Sequence, residues 1–231
     1  MSLSYNPGRV AGALYLLLGF SVFRPTYIAG ALIVRDDAPT TARNIATHEL
    51  LFRFGMVTDL LAGVSCLVVA LALYQLLKGV DQKLAVVMVI LGGLIPAVLD
   101  FVNVLNDIAA LLLASGGGFL SALEGPQRAA LAMLFLRLHD HGFLVNEIFA
   151  GLWLLPFGLL VYRSGFLPRL LGALLIVNGF AYLTISFTGL LIPDYADRVS
   201  RVVSPALIGE GAVMLWLLIK GARPRPPAVF P

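Results

Sequence analysis

Four charged residues, Arg24, Asp59, Asp100 and Glu147, stand inside stretches that are otherwise apolar. A charge in hydrocarbon is costly, so such residues pair with one another, face a water-filled space or serve a ligand or proton pathway. Counted at about 1.5 Å per helical residue, Asp100 lies roughly 25 Å above Lys83, Asp59 roughly 28 Å above Lys78, Glu147 roughly 24 Å above Arg163, and Arg24 roughly 22 Å above Arg9. Charges from four segments therefore share one level, which points to a single outward-facing polar pocket. Asp100, Asn103 and Asp107 recur at i, i+3 and i+7 and line one stripe of a helix, while Asp140 and Glu147, at i and i+7, line another. Asp59, Asp100 and Glu147 set against Arg24 leave the pocket formally acidic unless Arg53 also reaches it, a balance suited to holding a cation. The competing reading is an ion-pair network that fixes helix packing.

The stretch FLRLHDHGFLVNEIFAGLW, residues 135–153, adds two of the chain's 3 histidines. His139 and His141 are about 200° apart around a helix, so a regular helix cannot present both to one ion. A metal-binding pair on one helix needs i, i+4 spacing. His139 or His141 can still join Asp100, Glu147 or His48 in a mixed imidazole–carboxylate site, the composition that catalytic zinc uses with an open position. Against this stands an interfacial histidine that only hydrogen-bonds at the helix mouth. His141, about one and two-thirds turns outward of Glu147, is expected at the mouth of the pocket. Glu210, roughly 15 Å from Lys220 by helical rise, sits alone near the midplane and is expected to pair with Asn178; a proton-relay carboxyl is the alternative. All lysines, Lys78, Lys83 and Lys220, fall at inner segment ends, leaving none mid-span for a Schiff base. The histidines all fall on the outer side, so a transmembrane pair of haems has no ligands. No cofactor is expected.

These residues have to be positioned by membrane helices. Of 231 residues, 59% are hydrophobic and only 13% charged, far from the balance of a soluble domain. Apolar runs long enough to span a bilayer occur near residues 10–34, 54–77, 84–114, 143–162, 167–192 and 202–219. The expected fold is all-α: one integral-membrane domain over 1–231, a bundle of six transmembrane helices. Outer helical extensions are expected at 40–53 and 126–142, the first capped by Asp37 or Thr40 and carrying a Glu49–Arg53 pair at i, i+4. Arg24 and Pro25 stand where a signal-peptide cleavage site would fall, so the opening run reads as a span. Inner ends collect Arg9, Lys78, Lys83, Arg163, Arg169, Lys220, Arg223 and Arg225 against Asp81 alone, which places both termini in the cytoplasm. Pro96, after Gly92 and Gly93, and Pro156 mark kink sites. The tail RPRPPAVFP reads as a frayed end. The net charge of +3 is spread over segment ends rather than gathered in a stripe, which argues against nucleic acid. Cys66 is the only cysteine, so neither an internal disulfide nor a cysteine metal motif can form.

Asp59-Leu-Leu-Ala-Gly63 and Glu147-Ile-Phe-Ala-Gly151 share a pattern, which raises a duplicated helix pair as a physical possibility. More specific are Arg9-Val-Ala-Gly12-Ala-Leu-Tyr15, the segment from Asp37 through Asn44 to Glu49 and Arg53, and Trp153-Leu-Leu-Pro156-Phe-Gly158 running on to Tyr162 and Pro168. Through them the chain resembles, over nearly its whole length, the uncharacterised bacterial six-helix membrane proteins grouped as domain of unknown function 4386. The resemblance implies six spans in a bacterial cytoplasmic membrane and brings no activity and no catalytic residues. From the residues themselves, the leading expectation is binding or transport of a small cationic or amphiphilic molecule, with membrane lipids as surroundings. A membrane-embedded, metal-dependent lipid hydrolase and a structural subunit of a membrane complex are the alternatives.

Overall fold

The computed structural model describes residues 6–223; Arg225 and the other tail residues after Arg223 lie outside the described residues. Six helices are long and apolar enough to cross a membrane: α1 (Pro7–Leu32), α3 (Glu49–Leu77), α4 (Gln82–Ser115), α5 (Gly125–Arg163), α6 (Arg169–Leu191) and α7 (Pro193–Ile219). A shorter helix, α2 (Ala38–Thr47), precedes α3. The described residues contain no strand. Apolar side chains are exposed where a soluble protein would show polar ones. On α4, Val102, Leu105, Ile108 and Leu112 are exposed while Asp107 is 1% exposed, an inside-out pattern that suits a lipid surround.

Short polar side chains begin the helices. Asn6, Asp37 and Asp81 accept hydrogen bonds from the backbone N–H of Arg9, Thr40 and Leu84, at 3.2, 2.9 and 3.0 Å, and so satisfy first-turn donors that have no partner within the helix. Hydrogen bonds from Thr40 hold the exposed Asp37 carboxyl below its usual range, so this cap is fully present above the ordinary carboxylate range and lost as pH falls through the lowered folded value. Gly116 and Gly165, both at φ +69°, turn the chain after α4 and α5.

Two findings depart from simple spans. The extension before α3 is not one helix through 40–53: His48, at φ −115° and ψ 41°, separates α2 from α3. Two prolines adjoin wide π-helical turns, Arg24–Ala29 around Pro25 and Ile90–Leu94 just before Pro96. A proline ring removes one N–H and crowds the carbonyl four residues back, and a widened turn relieves both. Pro156, by contrast, stands inside the uninterrupted α-helix α5.

The chain divides into two units. The first comprises the described parts of Met1–Leu17, Ser65–Pro96 and Leu144–Pro231. Here α5 and α6 meet through paired glycines. A Cβ on Gly158 would lie 2.7 Å from the Gly172 carbonyl oxygen and one on Gly172 2.6 Å from that of Gly158; Gly151 and Gly179 oppose each other in the same way at 2.8 Å. Lipid gives helices no hydrophobic reason to associate, so small residues that let backbones touch supply the packing. Trp153 stacks on Phe157, with centroids 5.3 Å apart, and its ring occupies the space a side chain at Gly92 would need.

The second unit comprises Leu18–Val64 and Ala97–Phe143. Its core gathers Ile28, Leu32, Ile45, Phe52, Val104 and Leu136, with Gly55 lying close over Ile28. Thr41 closes the turn between α1 and α2, accepting from Val34 N–H at 2.9 Å and donating to the Val34 carbonyl at 3.1 Å.

Gly172→Ala is expected to lower unfolding stability in detergent by about 1–3 kcal/mol, because the added methyl meets backbone that cannot step aside. Gly211→Ala, where a Cβ meets nothing within 4 Å, is expected to be neutral or stabilising. Thermal unfolding of the two variants checks the contrast.

Candidate functional site

In the second unit, α1, α3, α4 and α5 each send a polar side chain to one point. Arg24 is 5% exposed, although a guanidinium stays charged at any physiological pH. It opens the π-helical turn Arg24–Ala29. Asp107 receives it bidentately, from Nη2 to Oδ1 at 2.7 Å and from Nε to Oδ2 at 3.2 Å, the fork geometry that gives arginine–carboxylate pairs their strength. Asp59 Oδ2 lies 3.4 Å from Nε, and Asp140 Oδ1 lies 3.8 Å from Nη1 at the exposed rim.

His139 completes the cluster. It is 4% exposed, with Nδ1 3.3 Å from Asp107 Oδ2 and Nε2 3.8 Å from Asp59 Oδ2. Neither its Nδ1 nor Asp59 Oδ2 makes a hydrogen bond of acceptable geometry. The helix pair behind it is clamped by Asn103, whose Nδ2 donates to the His139 carbonyl at 2.9 Å and whose Oδ1 accepts from Asn106 at 2.9 Å. A side chain at Gly142 would collide with Asn103, so glycine there lets α5 approach α4.

The residues singled out from the sequence are distributed as follows. Arg24, Asp59, Asn103 and Asp107 meet in this cluster. Asp100 is half-buried on the same α4 stripe, its Cβ beside Gly63. Depth matches Arg24 to Asp59, Asp100 and Glu147, yet its closest partner is Asp107, about two turns along α4 from Asp100. Arg53 pairs with Glu49 at 2.6 Å, both side chains exposed. Glu147 is half-buried on the part of α5 that belongs to the first unit. His141 is exposed, its Nδ1 2.8 Å from the Arg137 carbonyl one turn back, and His48 makes the equivalent contact with Asn44 at 3.1 Å. Of the three histidines it is His139 that faces the carboxylates. The signal was present: Ala129, Ala132 and Leu136 are buried at i, i+3 and i+7, and His139 is the next position of that stripe.

In the first unit Asn178 and Glu210 do meet, but through the backbone. Glu210 N–H donates to Asn178 Oδ1 at 2.9 Å, while the Glu210 carboxyl accepts from the Tyr15 hydroxyl at 2.6 Å. The reason is a helix start inside α7: Pro205 lies in a 3-10 turn, Ser204–Leu207, after which Ile208–Ile219 begins afresh. Glu210 N–H thereby becomes a first-turn donor without a helical partner, and Asn178 satisfies it.

Breaking one side of the Arg24–Asp107 pair leaves a buried charge. Arg24→Met is expected to cost about 3–5 kcal/mol, and Arg24→Met with Asp107→Leu to recover most of that loss. Chemical unfolding of the single and double variants in detergent measures the difference; equal stabilities would show the pair to be uncoupled.

Among known proteins, an uncharacterized protein of Archaeoglobus fulgidus (strain ATCC 49558 / DSM 4304 / JCM 9628 / NBRC 100126 / VC-16) is 33% identical over 82 residues. That match covers 34% of this chain and 46% of the relative, so it spans less than half of the relative's own length. No solved structure matches. Residues 10–221 match the family described as Domain of unknown function (DUF4386), and the chain, with its six apolar helices, belongs to that family.

Proposed function

We propose that this chain is a multi-pass membrane protein that binds, and in transport would pass on, a small cation or the cationic head of an amphiphile. The observation that carries the reading is a charge imbalance: Asp59 and Asp107 are both largely buried, and Arg24 is the one guanidinium they share. Buried carboxylates persist when paired, and here one arginine serves two of them. A cation beside Asp59 restores the balance. Asp140, with its side chain 58% exposed, provides a charged approach to the cluster.

In the same reading the chain sits in a bacterial cytoplasmic membrane with both ends inside and the cluster towards the outer face, as the basic residues of the short loops favour. Reporter fusions at either terminus should be active only in the cytoplasm. An active periplasmic reporter at the C-terminus would overturn that orientation.

Ligand binding is tested by thermal unfolding of the purified chain with tetramethylammonium, spermidine or Zn2+ as probes. At roughly a hundredfold its Kd, a bound probe should raise the midpoint by about 5 °C or more, and Asp59→Asn should remove the rise. If none of the probes shifts the midpoint while Asp59→Asn stabilises the protein, the cluster is a packing network and the binding reading fails.

A further inference from the structure

The geometry of the Arg24 cluster is more specific than its charge. Asp59, Asp107 and His139 each offer one ligand atom, and these atoms all lie within 4.8 Å of one another. The edge between His139 Nδ1 and Asp107 Oδ2 is 3.3 Å. A tetrahedral ion with bonds of about 2.0–2.1 Å to nitrogen and oxygen has ligand edges of roughly 3.3 Å, so this edge is already the right length. Burial adds a second, independent sign: His139 is 4% exposed, yet its Nδ1 makes no hydrogen bond. A buried imidazole nitrogen that stands beside a carboxylate oxygen without a hydrogen bond is a ligand atom that a Lewis-acidic ion would satisfy.

We infer that Asp59, Asp107 and His139 bind a divalent transition-metal ion of the zinc class. The inference rests on the cation-binding reading above and names the cation. Two carboxylate oxygens and one imidazole nitrogen suit zinc, manganese or ferrous iron, and three protein ligands leave a position open to water or a further ligand. The donors come from three helices, α3, α4 and α5, so a bound ion ties them together. Arg24 has a defined part in this arrangement. Its Nη2 holds Asp107 Oδ1 at 2.7 Å and thereby orients Oδ2 towards His139. Its Nε, 3.2 Å from Asp107 Oδ2 and 3.4 Å from Asp59 Oδ2, touches the same oxygens an ion would use. Metal binding therefore moves the Nε contact aside and retains the Nη2 contact, with Arg24 both orienting a ligand and competing as a positive charge. Asn103, bonded to the His139 carbonyl, fixes the height at which the imidazole enters.

That dual part gives the test opposite signs for different variants. The full chain is purified in detergent, treated with a chelator, and titrated with Zn2+ by calorimetry and with Co2+ by visible absorption. Wild type should bind one ion per chain and develop the intense Co2+ bands of a tetrahedral site. Asp59→Asn and His139→Gln should each weaken Zn2+ binding at least tenfold, while His48→Gln, on the exposed turn before α3, should leave it unchanged. Arg24→Gln should bind Zn2+ more tightly than wild type although it unfolds more easily, because a competing charge has gone. A purely structural ion-pair network would lose stability with no gain in affinity. The wild-type measurement decides even where a variant does not fold: fewer than about one tenth of an ion per chain, or Co2+ absorption that stays octahedral, overturns the metal site, a cut-off set with weak adventitious metal in mind. Tetramethylammonium or spermidine that still stabilises wild type but not Asp59→Asn would then leave the cation reading standing. If Zn2+ and both amines fail together, both readings fall.

Discussion

A guanidinium that cannot lose its proton, buried in an apolar unit, constrains everything around it. Arg24 must be met by carboxylates, and those carboxylates must come from helices near enough to reach it. Asp107 meets it with both oxygens, which fixes the facing stripes of α1 and α4. Asp59 brings α3 to the same point, and His139 with Asp140 brings α5. The hydrophobic residues of this unit, such as Ile28, Met56 and Val104, then pack around a polar centre whose geometry leaves little freedom of register. The π-helical turn that begins at Arg24 belongs to the same constraint, since a widened turn alters where the guanidinium points along α1.

The first unit is held differently. Its helices approach through glycine against backbone: Gly158 on Gly172, Gly151 on Gly179, and Gly209 on the Leu174 carbonyl, where an added Cβ would lie 2.5 Å away. Close backbone contact maximises dispersion where the solvent is itself hydrocarbon. Two polar contacts in this unit answer local needs. Asn178 completes a helix start at Glu210, and Tyr15 caps the carboxyl that this start brings inward.

Much of this was legible in the residues. Apolar run length located the six spans, and Asn6, Asp37 and Asp81 act as caps of the type that local chemistry favours. The i, i+3, i+7 stripe on α4 named Asn103 and Asp107 before any coordinates. What escaped depended on rotation or on backbone irregularity. Depth along α5 points to His141 as the pocket residue, but the rotation of α5 that buries Ala129, Ala132 and Leu136 turns His139 inward and leaves His141 exposed. The break at His48 carries neither glycine nor proline, so no local residue announced it. Apolar run length shows 202–219 as one segment, whereas the turn at Pro205 starts a fresh helix at Ile208 and creates the donor that Asn178 meets.

The contrast between the two units bears on why the polar cluster exists. If helix association were its whole purpose, glycine contacts like those of the first unit would serve, and apolar side chains in place of a buried ion pair are often neutral or stabilising. In any such network each unpaired buried polar atom costs about 1–3 kcal/mol. This one leaves His139 Nδ1 and Asp59 Oδ2 without hydrogen bonds, on the side where the two carboxylates and the imidazole converge. Buried ligand atoms without hydrogen bonds are poor packing and good coordination chemistry. The same atoms that make the cluster expensive as structure are the ones the proposed cation would use.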